Sequence, residues 1–171
     1  MRPRIAPLDL SSDLDRLARL YSAVFAEPPW NAGPDEMADF MRRLPTEARA
    51  GAGGFGAWST DELIGFAYAV PTPTPFPAGR AYDRVAQVTD VDRLVGCWEV
   101  MELAVDPAQR GRGVASALLD ALLDEYSPAW LLTATDAPAV QFYDRRSDFR
   151  RTGQGEGLVV YASTYPAASG V

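Results

Sequence analysis

The chain of 171 residues contains no histidine and no lysine, so arginine supplies all sixteen of its basic side chains. Without histidine a Ser-His-Asp triad cannot form. Without lysine the chain has neither a Schiff-base amine nor the phosphate-binding lysine of a nucleotide-triphosphate loop. Any general acid or base must therefore be a carboxylate, a tyrosine, a thiol, a water molecule or a chain terminus.

Cysteine and long apolar runs are also scarce. Cys97 is the only cysteine, which excludes a disulfide within the chain and a cysteine-based zinc site. No apolar run is long enough to span a bilayer, and the basic residues near the start are not followed by the apolar core of a secretory signal. We therefore expect a cytoplasmic protein with no membrane partner and no metal.

The net negative charge of the chain limits the classes of partner that we expect. A formal net charge of −7 argues against a nucleic-acid partner, because such binders usually carry a surplus of basic residues. The charge is compatible with a cationic substrate, but solubility alone explains it as well. The length and the 47% hydrophobic content fit one domain with a real core. We predict a single domain over residues 1–165 and a loose tail over residues 166–171.

Apolar periodicity and turn residues predict the elements of the first half. The predicted elements are a strand Arg4–Pro7, a helix Asp13–Phe25, a helix Asp35–Arg43 that ends near Pro45, and a hairpin of strands Gly54–Ser59 and Leu63–Val70. Prolines at 71, 73, 75 and 77 then predict an irregular segment that continues to about Gly96.

The second half has a clearer alternation of strands and helices. The predicted elements are a strand Trp98–Val105, a helix Gly113–Tyr126, a strand Trp130–Thr135, a helix Ala139–Arg145 and a strand Leu158–Ala162. A strand–helix–strand unit implies parallel neighbours, whereas the earlier hairpin is antiparallel. The predicted fold class is therefore α/β, with a central mixed sheet flanked by helices.

The most informative segment is the turn between the strand and the long helix of this second half. Arg110-Gly111-Arg112-Gly113 offers backbone N–H groups and two arginines at a helix N-terminus, which favours a phosphate. A dinucleotide fingerprint is disfavoured because Ser116 stands where glycine or alanine belongs, and because residues 106–110 separate the strand from the first glycine. Taken alone, two glycines also fit a turn that binds nothing.

The wider context resembles the Gcn5-related N-acetyltransferases. Arg110-Gly111-Arg112-Gly113-Val114-Ala115 matches their pyrophosphate loop, Q/R-x-x-G-x-G/A, and Leu103-Ala104-Val105-Asp106-Pro107 is similar to the strand and turn before it. Ala137-Pro138-Ala139-Val140-Gln141-Phe142-Tyr143 resembles a later segment of the family, and Phe25-Ala26-Glu27-Pro28-Pro29-Trp30-Asn31 resembles the segment after its first helix.

The resemblance implies an acyl-CoA N-acyltransferase fold and acetyl transfer from acetyl-CoA to a primary amine of a small molecule or peptide. It assigns cofactor binding to Leu103, Ala104, Val105 and to the loop residues Arg110, Gly111, Arg112, Gly113, Val114 and Ala115. Backbone N–H groups of Leu103 and Val105 would stabilise the acetyl oxygen, and Tyr143 would protonate the departing thiolate. Whether the protein forms a homodimer is left open.

The base that accepts the amine proton has three candidates: Glu102, Glu99 and a water relay. Strand alternation puts residues 98, 100 and 102 on one face and residues 99, 101 and 103 on the other. We favour Glu102, while an ion-paired surface glutamate is the alternative for either residue. Cys97, with no histidine to activate it, is interpreted as a buried strand cysteine.

Two departures from the family motivate an alternative function. Ala137 stands where the family often has asparagine, and Arg146-Ser147-Asp148-Phe149 replaces Leu-Gly-Phe with one extra residue. The alternative is a catalytically inactive acyl-CoA-binding or regulatory domain. For the acceptor site we name candidate wall residues, Trp30, Phe76, Tyr82 and Trp98, and two acidic candidates, Asp90 and Asp92.

Overall fold

A computed structural model of the chain describes residues 3–163. The strands are β1 (Arg4–Pro7), β2 (Gly53–Ser59), β3 (Glu62–Pro71), β4 (Trp98–Val105), β5 (Ala129–Ala134), β6 (Phe149–Gly155) and β7 (Leu158–Ser163). The helices are α1 (Leu14–Phe25), α2 (Pro34–Arg49), α3 (Arg80–Val88), α4 (Val114–Glu125) and α5 (Ala139–Asp144). Within residues 3–163, no helix combines the length and apolarity needed to cross a bilayer.

The described residues form two compact units, and β4 contributes to both. Unit 1 holds residues 3–70 and 100–126, and unit 2 holds residues 71–99 and 127–163. The single domain that we predict over residues 1–165 stays a prediction, and the predicted tail over residues 166–171 lies outside the described residues.

Unit 1 contains the strands in the order β1-β2-β3-β4 together with α1, α2 and α4. β1, β2 and β3 pair in antiparallel fashion. Leu17, Phe40, Leu44 and Phe66 are fully buried in its core. Gly65 sets the position of α4, because a Cβ there would lie 3.0 Å from Leu118 Cδ1 and 3.1 Å from the Ala104 carbonyl oxygen. The helix that follows β4 therefore packs tightly over β3.

Unit 2 contains the start of β4 and the strand order β4-β5-β7-β6. β4 is parallel to β5, with Trp98 opposite Ala129, whereas β7 pairs with β5 and β6 in antiparallel fashion. Trp130 is fully buried at the centre of this core, and its indole N–H donates to Thr72 Oγ1 over 2.7 Å. The predicted mixed α/β sheet flanked by helices is confirmed.

The prediction that the second helix ends near Pro45 is wrong, because α2 continues to Arg49. A proline inside a helix removes one hydrogen bond and costs about 3 kcal/mol. Phe40 and Leu44 are fully buried on this helix, and Glu47, beyond the proline, bonds to Arg43 and Tyr68. Tertiary contacts on both sides of Pro45 thus hold the helix together.

Two further elements contradict the predicted order. The segment 71–96 is not irregular throughout, because it contains α3 and a 3₁₀ helix at Val91–Arg93. The sequence also gave no sign of β6, whose residues Arg150–Thr152 are exposed. An exposed edge strand has no apolar alternation, so its pairing with β7 is invisible to a hydrophobic pattern. The predicted strands β1 and β4 have the observed bounds.

Candidate active site

The loop between β4 and α4 is open and shaped by two glycines. After Val105, the Asp106 carboxylate accepts a hydrogen bond from the Ala108 N–H over 2.8 Å and caps a short 3₁₀ turn. Gly111 and Gly113 then adopt φ angles of 73° and 78°, which L side chains rarely adopt. A Cβ built at either position would meet no atom within 4 Å. The space in front of both glycines is therefore free to receive a ligand.

This loop leads directly into the N-terminus of α4. The first N–H groups of a helix have no partner within it and carry a partial positive charge, so they favour an anion. Arg112 is exposed, while Arg110 Nη1 lies 2.8 Å from Glu27 Oε2 in an ion pair whose side chains are both nearly half exposed. Such exposed pairs contribute little free energy, so Arg110 can exchange its partner for a phosphate.

The end of β4 lies beside β3 in unit 1. The Asp106 N–H donates to the Ile64 carbonyl oxygen over 2.9 Å. Because hydrogen-bonding directions alternate along a strand, the N–H groups of Leu103 and Val105 face away from β3. The side chains of Ala104 and Val105 are buried. The predicted contribution of Leu103 and Val105 is thus a main-chain one.

Glu102 is part of a half-buried ion network that sequence reasoning missed. Arg43 on α2 lies 3.6 Å from Glu102 Oε1, 3.0 Å from Glu47 Oε1 and 2.9 Å from Asp39 Oδ2. The Tyr68 hydroxyl donates to Glu47 Oε2 over 2.8 Å. One guanidinium therefore faces three carboxylates, and the cluster carries an excess of negative charge. The Glu102 side chain keeps 15% of its surface exposed.

Two tyrosines around this network are buried and lie close to its carboxylates. Burial, followed by the charges of Glu102 and Glu47, raises the pKa of Tyr68 well above its usual range. Burial, with Glu102 as the next cause, raises the pKa of Tyr21 to about 12. Both phenols therefore stay neutral near pH 7, and Tyr68 is held as a hydrogen-bond donor.

The other candidate base, Glu99, lies in unit 2 and has different surroundings. Glu99 is only 5% exposed, and its Oε2 accepts a hydrogen bond from the Tyr82 hydroxyl over 2.9 Å. The Tyr82 ring packs edge-on against Phe76, at 5.7 Å between ring centroids. Glu99 is thus sealed among aromatic side chains, whereas Glu102 keeps access to solvent.

Tyr143 lies on the short helix α5 of unit 2. Its side chain is 6% exposed and packs against Phe149 and Tyr161, at centroid distances of 5.9 Å and 5.3 Å. The Tyr161 hydroxyl donates to Asp144, which also pairs with Arg151. This aromatic cluster fixes the position of Tyr143, and its predicted role as an acid stays a prediction.

The segments that depart from the family are well packed. Ala137 is buried, and Arg146 forms a close ion pair with Asp148 beside the exposed Ser147. Cys97 precedes β4 and is only partly buried, which corrects its interpretation as a buried strand cysteine. Burial nevertheless raises the pKa of its thiol.

Some of the candidate wall residues belong to unit 1 and the others to unit 2. Trp30 lies in unit 1 against Phe25, whereas Phe76 packs with Tyr82 in the core of unit 2. Trp98 begins β4 in unit 2. Asp90 accepts a hydrogen bond from the Asp92 N–H over 3.2 Å and caps the 3₁₀ helix, which makes both acids part of a local cap.

Arg43, Glu47 and Tyr68 are the residues near Glu102 that the sequence did not single out. A signal for two of them was present, since Asp39, Arg43 and Glu47 repeat at i, i+4 spacing with alternating charge. That pattern indicates an ion-paired helix face. It does not reveal that the face meets a glutamate on a strand.

Comparison with known proteins identifies the architecture. Residues 15–149 match the acetyltransferase (GNAT) family. A histone acetyltransferase HPA2-related protein of Corynebacterium glutamicum is 20% identical, with a TM-score of 0.67 over 98% of this chain and 100% of that one. PaiA N-acetyltransferase of Thermoplasma acidophilum, solved in complex with coenzyme A, is 12% identical, with a TM-score of 0.66 over 96% and 100%.

A third solved structure has the same fold. The ribosomal-protein-S18-alanine N-acetyltransferase of Escherichia coli is 16% identical, with a TM-score of 0.63 over 99% of both chains. A search of curated proteins found no match to this chain. At these identities the similarity to the solved structures shows the fold alone.

Proposed function

This chain belongs to the GNAT family of acetyltransferases, and we propose that it transfers the acetyl group of acetyl-CoA to a primary amine. The observation that carries the proposal is the open loop at the start of α4, where Gly111 and Gly113 have positive φ angles and free space before them. A helix N-terminus of this shape suits a diphosphate, because several N–H groups converge on the anion.

The residues of the loop would share the binding of the cofactor. The main chain from Gly111 to Ala115 would hold the pyrophosphate, and Arg110 and Arg112 would add charge-assisted hydrogen bonds. Arg110 would leave Glu27 to do so, which an exposed ion pair permits at little free-energy cost.

The cofactor supplies an activated acetyl group and a thiolate leaving group. The N–H groups of Leu103 and Val105 would donate hydrogen bonds to the acetyl oxygen as it gains negative charge. Tyr143 would give its hydroxyl proton to the thiolate. A thiol has a pKa of ~8.5 and a tyrosine one of ~10, so this transfer costs little free energy.

Glu102 would take the proton of the acceptor amine, directly or through a water molecule. Its network favours a cationic acceptor, since the three carboxylates of Asp39, Glu47 and Glu102 exceed by one the positive charges of Arg43 and of Arg42, which also pairs with Asp39. An ammonium ion attracted there would lose its proton to Glu102 before it attacks the acetyl carbon. The acceptor class we propose is therefore an amine that is positively charged in solution.

Thiol release with a panel of amines tests this function. The protein is mixed with acetyl-CoA and with polyamines, aminoglycosides, amino acids or peptides, and the free thiol is followed with a chromogenic disulfide. Cys97→Ser protein removes the background from the only protein thiol. Thermal stabilisation by CoA is measured in parallel.

Stabilisation by CoA together with amine-dependent thiol release supports the proposal. Stabilisation without thiol release for any amine would contradict acetyl transfer, and it would leave an acyl-CoA-binding domain. A response to a nicotinamide dinucleotide and none to CoA would contradict the assignment of the loop as well.

A further inference from the structure

Unit 2 contains a cavity of about 720 Å³ that shares no residue with the loop, Glu102 or Tyr143. It opens beside the start of β5, whereas α5 and Tyr143 follow the other end of that strand. We call it the arginine-lined cavity, after Arg93, Arg150 and Arg151 in its wall. Its volume lies within the range of about 300–1,000 Å³ that is usual for small-molecule sites.

The floor of the arginine-lined cavity is apolar and fixed. Leu94, Pro128, Trp130 and Ala162 line it. Trp130 is fully buried, and its indole N–H is held by Thr72. Leu94 is only 2% exposed, so it and Trp130 support the floor from below. The apolar surface that a ligand can reach belongs to the partly buried Pro128 and Ala162. Packing of an apolar body on these two side chains removes apolar area from water.

The wall of the cavity is cationic in an acidic protein. Its charged lining consists of Arg93, Arg150, Arg151 and Asp90. Asp144, outside the lining, pairs with Arg151, so a surplus of one positive charge remains in a chain of net charge −7. The cavity of about 760 Å³ in unit 1 differs, because Asp61, Glu62 and Asp106 outnumber Arg16 and Arg19 there. The two cavities therefore differ in the sign of their net charge.

The three arginines are not equally available. Arg151 is held by Asp144, at 2.8 Å and 2.5 Å, and by Gln154. Arg93 is 86% exposed and lies 3.6 Å from Asp90, which is a weak surface pair. Arg150 is exposed on the edge strand. Arg93 and Arg150 are therefore the side chains that can turn toward an anion.

The edge strand is shaped at this place by a β-bulge. Arg151 pairs with Tyr161 and Gly153 with Val160, so Thr152 is the extra residue. The Thr89 hydroxyl donates to the Thr152 carbonyl oxygen over 3.3 Å and ties the bulge to the end of α3. A Cβ at Gly153 would lie 2.2 Å from the Val88 carbonyl oxygen, so α3 packs directly on β6. Bulges often redirect side chains at functional places.

We propose that the arginine-lined cavity binds a small organic acid, whose apolar body packs on Pro128 and Ala162 and whose carboxylate pairs with Arg93 and Arg150. An arginine–carboxylate pair supplies charge-assisted hydrogen bonds and orients the acid. The exposed part of the apolar floor adds to the binding free energy through removal of apolar surface from water. The cavity is a second small-molecule site, and its lining shares no residue with the proposed acetyl transfer site.

Cys97 provides a direct readout, because the only thiol of the chain lines this cavity. We would measure the rate at which a neutral maleimide labels Cys97 at mildly alkaline pH, in the presence of phenylacetate, phenylacetamide or phenethylamine. The three probes share one apolar body and differ in charge. Phenylacetate should slow labelling in proportion to the occupied fraction of the cavity, with phenylacetamide about tenfold weaker and phenethylamine without effect.

Variants of the arginines test where the carboxylate of phenylacetate binds. Arg93→Gln/Arg150→Gln should weaken the protection by phenylacetate about tenfold, since a hydrogen bond to a charged group contributes at least that factor. Arg49→Gln, on an exposed position of α2 in unit 1, serves as the control and should leave the protection unchanged. The thermal midpoints of both variants report whether folding is intact.

Three outcomes would overturn the proposal. One is equal protection by all three probes, which would leave an apolar pocket with no role for the arginines. Another is no protection by any probe. The third is faster labelling after removal of residues 164–171 with no acid present, which would mean that the chain itself covers the cavity.

Discussion

At one end of β4, Glu99 is buried against the Tyr82 phenol, and three residues later Glu102 lies beside the Arg43 guanidinium. A buried carboxylate with a neutral partner serves mainly the packing of its surroundings, and removal of that partner is costly. A carboxylate that keeps 15% of its surface exposed, within a network of net negative charge, can still meet a substrate. From this difference we propose a structural role for Glu99 and a chemical role for Glu102.

The largest effect should come from the two glutamates themselves. Glu102→Gln removes the proposed proton acceptor without a change of shape, and we expect kcat to fall about 100-fold or more. Glu99→Gln, the matched variant at the other end of β4, should retain kcat within about threefold. Steady-state kinetics with a reactive amine measures both. If Glu99→Gln lost the activity and Glu102→Gln kept it, the comparison would be reversed.

A second prediction tests whether Tyr143, in unit 2, contributes to catalysis. Tyr143→Phe should lower kcat roughly tenfold, a modest loss because a thiolate with a pKa of ~8.5 can leave near neutral pH without full protonation. The control is Tyr161→Phe, which removes a hydroxyl from the same aromatic cluster, where it bonds to Asp144 over 2.9 Å. Undiminished turnover of Tyr143→Phe would remove this acid from the mechanism. Equal losses in both variants would indicate a packing effect.

A third prediction compares the turns that flank β4. Gly96 and Gly113 both have a φ of 78°, and a Cβ at either meets no atom within 4 Å. Alanine at either position should therefore bear a similar backbone strain, of order 1 kcal/mol. Gly113→Ala should also raise KM for acetyl-CoA about fivefold, because strain in the loop disturbs its N–H groups. Gly96→Ala should leave that KM unchanged, and a similar rise in both would argue against the loop as the cofactor site.

The sequence predicts β4 and the loop that follows it, but it does not predict the network around Glu102, for physical reasons. β4 and the loop are predictable because a strand pattern, two glycines and an amphipathic helix follow one another within one segment of chain. The loop needs glycine wherever φ is positive, so the motif and the conformation coincide at Gly111 and Gly113. The GNAT family and the fold class follow from this local consistency.

The features that escaped prediction depend on contacts between distant segments. α2 passes Pro45 because its buried face and Glu47 are held by β3 and the core. β6 exists because β7 offers it an edge, although its own residues are largely polar and exposed. The network around Glu102 combines α2, β3 and β4, so no single stretch of sequence displays it. The surroundings of the proposed base are thus harder to read from sequence than the proposed cofactor loop.

The smallest expected effect is a difference in stability between variants of Tyr82 and Tyr68, whose hydroxyl groups both donate hydrogen bonds to glutamates. Tyr82→Phe leaves Glu99 without the Tyr82 hydrogen bond at a site that is only 5% exposed, and should cost about 2 kcal/mol of unfolding free energy. Tyr68→Phe should cost about 1 kcal/mol, because Glu47 retains the charge of Arg43 at 3.0 Å. Urea unfolding of both variants measures the difference. An equal loss of unfolding free energy in both variants would show that Arg43 does not compensate Glu47 for the lost hydrogen bond. The contrast between the two ends of β4 would then depend on the kinetic predictions alone.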